Sequence, residues 1–412
     1  MSMTLSEELA WRGFVNQTTF ADLKELDKQE RTFYHGFDAS ADSQTVGNLA
    51  AMMFDKVFMR HGYRAIILAG GATSLIGDPG GKDRERPLQD EKIIAHNIAK
   101  AEEQLKKVLA GQTFTLVNNL DWTKNLKVID FLRDVGKHFS MTPLVQRDYI
   151  AKRIGEGGDG ISYTEFSYTI LQGMDFLHLF DEYGATLQLG GSDQWGNCLS
   201  GVDLIRRARG VEAHVITLPL IMNKATGKKF GKSEEGAVWL DANKTSVYRF
   251  YQFWLNFDDA GVGDYLKVFT ELDKPAVDRV LADFSKDKAS RLAQKTLAYE
   301  VTKLVHGQDQ ADKVKRISEV LFGGTPFVEL NDSEVAALGE EIPVVELPEL
   351  NLASALQQSG LAGSLSEGRR FIEGGGVYVN GEKVTELQAG HFIRGHALLR
   401  RGKNNVALLK RK

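Results

Sequence analysis

Between residues 32 and 220, short apolar runs ending in glycine alternate with longer stretches whose apolar residues recur at helical spacing. TFYHGF (32–37) and RAIILAGG (64–71) have the first pattern; VGNLAAMMFDKVFMRHG (46–62), between them, has the second and ends on a glycine stop. TFTLVNN (113–119), ATLQLGG (185–191) and HVITLPLI (214–221) read as later strands separated by helical segments. This order predicts an α/β fold, a doubly wound parallel sheet of Rossmann-like type, over residues 1–240. After about residue 245 the strand signal fades. SVYRFYQFWLNF, VGDYLKVFTEL and SRLAQKTLAYEVTKLVHG are amphipathic at helical period and predict a helical domain over 241–325.

Residues 326–350 carry three of the eight prolines and seven acidic residues with no Lys or Arg, the composition of a linker. From 351 to 412 a small α+β domain is expected. Ser364 and Glu367 stand at capping-box spacing before a short basic helix, and Asn380-Gly381 inside VYVNGEKV supplies a two-residue hairpin turn. This last segment holds ten Lys/Arg against four Asp/Glu, so the chain's net charge of −4 conceals a basic tail on an acidic body. Such a tail predicts an anionic partner.

Apolar residues make up 42% of the 412 and charged residues 26%, which fits a folded globular chain and excludes a disordered one. No apolar run is long enough to span a bilayer, and the N-terminus lacks the basic-then-apolar order of a signal peptide, so a cytoplasmic protein is expected. Cys198 is the single cysteine, which excludes an internal disulfide and a thiolate zinc cage and reads as a packing residue.

Four stretches carry candidate chemistry. FDASADSQTVGNLA (37–50) is a strand-to-helix turn, where free helix amides favour anions; Gly36 and Gly47 allow close backbone approach and Ser40, Thr45 and Asn48 add polar groups. By itself it reads better as a plain capped loop than as an anion site. LAGGATSLIGDPGGKDRERP (68–87) is Gly-rich and carries Asp78, Lys82 and Arg86; Lys82 is followed by Asp, so it is no Walker loop, and its bland reading is a mobile surface loop. KATGKKFGKSEEG (224–236) places Lys228, Lys229 and Lys232 after a strand, suited to phosphates or to a solvated turn. In TEFSYTILQGMDFLHLF, Tyr168, Gln172 and Asp175 share one helical face inside an apolar segment, so they meet either protein groups or a polar ligand. Downstream, LQLGGSDQWGN adds Gln188, Asp193 and Gln194 at another strand-to-helix turn.

Taken in order, YHGFDASADS, GGATSLIGDP, FLRDVGKHFS, TEFSY, GGSDQWGN, KFGKS, YQFW and VTKLVHG resemble the blocks of the bacterial tyrosyl-tRNA synthetases, a family of class I aminoacyl-tRNA synthetases, over essentially the whole chain. The basic tail resembles an RNA-binding fold shared with a ribosomal small-subunit protein and pseudouridine synthases. The resemblance implies a two-step tyrosine–tRNA ligase: tyrosine and ATP form tyrosyl-adenylate and pyrophosphate, then tyrosyl passes to tRNA. Tyr34 and Asp175 would hold the phenolic hydroxyl; Asp78, Tyr168 and Gln172 the ammonium; Gln188 would line the pocket. Asp38, Gly191, Asp193 and Gln194, with Gly36 and Gly47, match positions around ATP. Lys82, Arg86, Lys229, Lys232 and Ser233 match mobile-loop positions that close on pyrophosphate, with Mg²⁺ travelling on the ATP and no protein-bound metal. Arg369, Arg370, Lys383, Arg400, Arg401 and Lys403 would contact tRNA phosphates. A homodimer is implied, with FLRDVGKHF at its interface.

Two signatures depart from the family pattern. The first, usually His-Ile-Gly-His, is Thr45-Val46-Gly47-Asn48, with Ser40 for the usual upstream threonine; the second, usually Lys-Met-Ser-Lys-Ser, is Lys229-Phe230-Gly231-Lys232-Ser233. Ser40, Thr45 and Asn48 are expected to bind the leaving phosphates. The altered first signature keeps open a catalytically weakened relative that binds structured RNA, and within the enzyme class tryptophan activation is the runner-up, which the Tyr34–Asp175 pair opposes.

Overall fold

The computed structural model describes residues 3–77, 89–146, 148–155, 157–158, 160–222, 232–233, 236–322, 324–402 and 405–411. The chain forms two compact units, Met1–Thr245 with Trp254–Leu297 and Ser246–Phe253 with Ala298–Lys412.

In the first unit a helix α1 (Leu5–Arg12) and a two-residue strand β1 (Gln17–Thr18) precede an alternating series: β2 (Thr32–Phe37), α2 (Val46–Arg60), β3 (Arg64–Ala69), α3 (Gly71–Ile76), α4 (Glu91–Val108), β4 (Phe114–Asn118), α5 (Tyr163–Tyr183), β5 (Ala185–Gly191), α6 (Trp195–Arg209) and β6 (His214–Leu218). Short helical turns fill most of 120–154, and two-residue strands β7 (Lys232–Ser233) and β8 (Gly236–Ala237) come after β6. The sheet order is β1-β6-β5-β2-β3-β4, parallel throughout except for β1 at its edge. The expected strands all form. They are legible because both sheet faces are covered, so each strand is an apolar run rather than an alternation.

The chain leaves β2 toward β3 and β4 on one side and returns through β5 and β6 on the other, so the topology reverses between β2 and β5. Ligands of open α/β sheets bind outside the carboxyl ends of strands at such a point. Strand β2 alternates its side chains across the sheet. Tyr34 packs on Phe176 of α5 with ring centroids 5.0 Å apart, whereas Phe33 meets Phe58 of α2 at 5.5 Å. Phe33, Phe54, Phe58 and Phe14 are fully buried along α2, each contributing roughly 1.5–3 kcal/mol of burial. These contacts fix which face of β2 each residue presents.

The helices α7 (Val262–Phe269) and α8 (Lys274–Lys286) belong to this unit. Buried Arg12 explains why: its guanidinium donates to the carbonyls of Thr270 (3.0 Å) and Leu272 (3.1 Å) beyond the end of α7, and its Nε to Glu8 at 2.7 Å. Although burial opposes ionisation of Glu8, hydrogen bonds from His61 and Arg12 bring its carboxyl down to about 2.

The second unit contains α9 (Gln308–Leu321), α10 (Asp332–Glu341), β9 (Val344–Leu347), α11 (Leu352–Gln358), α12 (Leu365–Glu373), β10 (Val377–Val379), β11 (Glu382–Lys383), β12 (His396–Arg401) and β13 (Asn405–Arg411). The stretch expected as a linker is therefore folded. Helix α10 is capped by Asn331, whose side chain accepts from the Glu334 amide, and β9 pairs in parallel with β13, Leu408 opposite Val344. Nor do residues 241–325 stand as a unit of their own: α7 and α8 lie in the first unit, whereas α9 shares a core of Ile317, Val320, Leu338, Leu398 and Leu408 with α10 and the sheet. The hairpin expectation holds, with Asn380 and Gly381 at φ 51° and 92°.

Candidate active site

A cavity of about 300 Å³ opens at the carboxyl ends of β2 and β5. Its wall takes Tyr34, Gly36, Asp38 and Ser40 from β2 and the turn after it, Asn48 from α2, Tyr168, Gln172 and Asp175 from α5, Gln188 and Gly191 from β5, and Asp193 and Gln194 beyond. Thr45 and Gly47 stand at the start of α2 without lining it. Asp78, Lys82, Arg86 and Lys229 lie outside the described residues, as do the side chains of Lys232 and Ser233, whose backbone forms a short strand with Gly236–Ala237.

The deep end is polar and buried. Asp175 is buried, and each of its oxygens takes one neutral donor: Asn119 Nδ2 to Oδ2 and Trp122 Nε1 to Oδ1, both at 2.9 Å. Burial pushes its carboxyl up to about 7 against those two hydrogen bonds. Beside it the Tyr34 hydroxyl is buried without a hydrogen-bond partner, and burial raises this phenol well above its ordinary value. The Gln188 Oε1 also lacks one. A buried hydroxyl left unpaired costs about 1–3 kcal/mol, so this end is built for a ligand with a polar group of its own.

Midway, Tyr168 Oη donates to Asp38 Oδ2 (3.0 Å) and Thr73 Oγ1 to Asp38 Oδ1 (2.9 Å). Gln172 turns its amide nitrogen toward Cys198 Sγ at 3.8 Å. The tight loop after β3 makes this possible: a Cβ on Gly70 would stand 2.3 Å from Thr73 Oγ1, and one on Gly71 2.1 Å from Asn118 Oδ1. At the outer end, the Thr45 amide (3.0 Å) and hydroxyl (2.8 Å) both donate to Asn48 Oδ1. On the face of β2 toward α2, His35 and Asp55 also line the cavity, with His35 Nδ1 2.7 Å from Asp55 Oδ1. Burial disfavours the charged imidazole, but Asp55 outweighs it and His35 ends above its ordinary value.

Asn119, Trp122, Thr73, His35 and Asp55 were not among the sequence candidates. Asn119 ends a strand run, the position that supplied the other candidates, and was within reach of the same reasoning. The His35–Asp55 pairing spans 20 positions with no spacing rule to announce it.

In the second unit Arg369 and Arg370 are exposed on α12, and Arg401 lies over the Phe371 ring of that helix at 4.7 Å. Lys383 is exposed on β11. Arg400 departs from expectation. It points to the other face of the sheet, where its Nη2 donates to the carbonyls of Val320 (3.2 Å) and Leu321 (2.7 Å) and satisfies the carboxyl end of α9. Lys403 lies outside the described residues.

Comparison with known proteins shows the family of the chain. The sequence model of tRNA synthetases class I (W and Y) matches residues 26–323, and that of the tyrosine–tRNA ligase SYY-like C-terminal domain matches 334–409. The chain is 42% identical to the tyrosine–tRNA ligase of Roseiflexus castenholzii over 99% of both chains. It is 44% identical to that of Geobacillus stearothermophilus over 99% of this chain and all of the other. Among solved structures, a C-terminally truncated mitochondrial tyrosyl-tRNA synthetase of Aspergillus nidulans superimposes with a TM-score of 0.70 at 31% identity, covering 78% of this chain and 95% of that one. The tyrosyl-tRNA synthetase of Archaeoglobus fulgidus complexed with L-tyrosine shares the fold at a TM-score of 0.53 and 14% identity, covering 76% of this chain and 99% of that one. The chain belongs to the tyrosine–tRNA ligase family of class I aminoacyl-tRNA synthetases.

Proposed function

We propose that the protein activates L-tyrosine with ATP and transfers the tyrosyl group to the 3′ end of its tRNA. The observation that carries this reading is the deep end of the cavity: an unpaired buried Tyr34 hydroxyl beside an Asp175 carboxylate that retains acceptor capacity on both oxygens. A phenol completes it. Phenylalanine would leave these groups desolvated and unpaired, and the indole of tryptophan has no hydroxyl to offer there.

The ammonium of tyrosine meets acceptors. Tyr168 has committed its hydroxyl proton to Asp38, so its oxygen presents lone pairs, and Gln172 turns its nitrogen to Cys198, which leaves Oε1 for the ligand. Asp78 supplies the charge by family resemblance. A carboxylate oxygen of tyrosine then attacks the α-phosphorus of ATP; that P–O bond forms as the bond to the β-phosphate bridge breaks, and pyrophosphate leaves with the electron pair. In the second step a ribose hydroxyl of tRNA attacks the tyrosyl carbonyl and AMP departs. Because the nucleophile belongs to the substrate, the protein's task is orientation and stabilisation of developing negative charge. Asn48 and Ser40 line the phosphate end, Gly191, Asp193 and Gln194 the nucleotide wall. Lys82, Arg86, Lys229, Lys232 and Ser233 close over pyrophosphate, with Mg²⁺ arriving as part of the ATP substrate.

Tyrosine-dependent ATP–pyrophosphate exchange tests the reading, run side by side with tryptophan and phenylalanine. Exchange with tyrosine alone is expected; none with any amino acid would leave an RNA-binding relative. We place tRNA on the α12 face, with Arg369, Arg370 and Arg401 as phosphate contacts and Lys383 at its edge, a weakly sequence-dependent, salt-sensitive grip. The working form is a homodimer: Val128, Ile129, Leu132 and Met141 expose 71%, 69%, 48% and 57% of their surface around the FLRDVGKHF stretch, a patch of the kind that marks an interface. Ile129→Asp is expected to yield monomers in sedimentation. No helix among the described residues is long and apolar enough to cross a membrane, and we assign the reaction to the cytoplasm.

A further inference from the structure

The first signature of this chain carries threonine and asparagine where its family usually has histidines, and the structure gives the two residues different tasks. Asn48 lines the cavity; Thr45 does not. Thr45 instead spends both of its donors, amide and hydroxyl, on the single acceptor Asn48 Oδ1, at 3.0 and 2.8 Å. A carboxamide is two-faced: turned one way it offers N–H donors, turned the other it offers an oxygen that would repel a phosphate. Two donors on Oδ1 select the first orientation, with Nδ2 left for the cavity.

Thr45 is itself held from behind. Its backbone is extended (φ −109°, ψ 170°) and bridges Trp239 in antiparallel fashion. The Val46 amide donates to Val238 O at 3.0 Å, and the Leu240 amide to Gln44 O at 2.9 Å. A β-branched residue suits such an extended position. Residues 238–240 follow Ser233 after four intervening residues, so the turn that aims Asn48 is tied to the chain just after the second signature.

We propose that Thr45 is a positioning residue that locks the Asn48 carboxamide with its Nδ2 donor toward the triphosphate of the nucleotide, and that it makes no phosphate contact of its own. This rests on the cavity being the ATP site. The imidazole pair of the usual signature is thus replaced by one donor and its clamp.

The test is tyrosine-dependent pyrophosphate exchange on the full chain with Thr45→Val, Thr45→Ser, Asn48→Ala and the Thr45→Val/Asn48→Ala double variant. Thr45→Val is expected to lower kcat/KM for ATP by about tenfold while KM for tyrosine stays within about twofold, with Thr45→Ser near the parent. The double variant should be no worse than Asn48→Ala, since a clamp has nothing to hold once its amide is gone. Thr45→His, which restores the usual residue at one position only, should reduce exchange rather than raise it. Multiplicative losses in the double variant would overturn the proposal, because they mean that Thr45 reaches the nucleotide independently. So would Thr45→Val losing melting temperature with unchanged kinetics, which marks an ordinary helix cap. Failure of the parent chain to exchange pyrophosphate at all would strike the functional reading instead, and is seen before any variant is made.

Discussion

Asp175 and Asp55 are two buried carboxylates on opposite sides of strand β2, 1% and 3% exposed, and both line the same cavity. Asp175 is held by two neutral N–H donors, one to each oxygen. Asp55 is held by an imidazole 2.7 Å away that can share its proton. Among the described residues the sheet offers Ile67 and Leu189 beside His35, and α2 and α4 offer Ala51, Met52 and Leu105; there the charge acting on each member is the other. Neutral donors orient a carboxylate without neutralising it, so Asp175 remains able to receive a ligand hydroxyl. A charged partner completes Asp55 internally and makes it an element of the wall. Burial is the same on both sides; the partner decides whether a buried acid serves the ligand or the fold.

The largest effect is expected where the ligand-directed acid is removed. Asp175→Asn turns an NH₂ group against one of the two N–H donors, Asn119 or Trp122, and should lower kcat/KM for tyrosine at least about a hundredfold in pyrophosphate exchange while leaving KM for ATP nearly unchanged. On the other face the loss should appear in stability. His35→Gln leaves Asp55 without its ionic partner and should cost roughly 3 kcal/mol in denaturant unfolding, whereas His35→Leu/Asp55→Leu together should come close to the parent, because apolar replacement of a buried pair is often neutral. Since Asp55 raises the imidazole above 6.5, the imidazole's contribution is full below that pH and fades as pH climbs through the raised value. Tyr34→Phe comes next. It deletes one hydrogen bond to the substrate and should reduce discrimination against phenylalanine by about tenfold, with stability unchanged or improved because the unpaired hydroxyl is gone.

The same contrast shows what the sequence could reveal. Tyr168, Gln172 and Asp175 stand out because polar residues at helical spacing inside an apolar segment break a strong pattern, and the strands of the first sheet stand out because they are apolar runs ending in glycine. What supports them does not. Asn119 and Trp122 reach Asp175 only because β4 pairs in register beside β3, a contact across 56 and 53 positions that no local rule encodes. His35 and Asp55 are each unremarkable until the strand's alternation and the helix's phase bring them together. Strand β9 was hidden differently: VVEL buries Val345 and Leu347 in proper alternation, but four residues between Pro343 and Pro348 in an acidic stretch have the composition of a linker. Arg400 has the composition of a nucleic-acid contact and the geometry of a helix cap, a difference set by which face of β12 it occupies.

The smallest effect is also the most discriminating. Trp122→Phe removes a single donor from Asp175 Oδ1 while the ring's place against His178, stacked at 4.2 Å, is retained by another aromatic. Two quantities should move together. Burial already holds the Asp175 carboxyl at about 7 against the pull of its donors, so losing one donor raises it further. In the parent, kcat/KM for tyrosine should therefore rise with pH and level off above about 7, the ionised acid being the form that accepts the phenol; in Trp122→Phe the rise should come at higher pH. At neutral pH the variant should lose about threefold to tenfold, and by pH 9 most of that loss should be recovered. Linkage requires the mirror image in stability: an acid raised above its unfolded value of 3.8 stabilises the fold fully below that value and loses the contribution as pH rises through the folded one, so the variant's stability should go on falling to a more alkaline pH than the parent's, and its deficit should be larger at about pH 9 than at about pH 5. A pH-independent loss would mean that Trp122 only fills space, and that the two buried acids differ less than their partners imply.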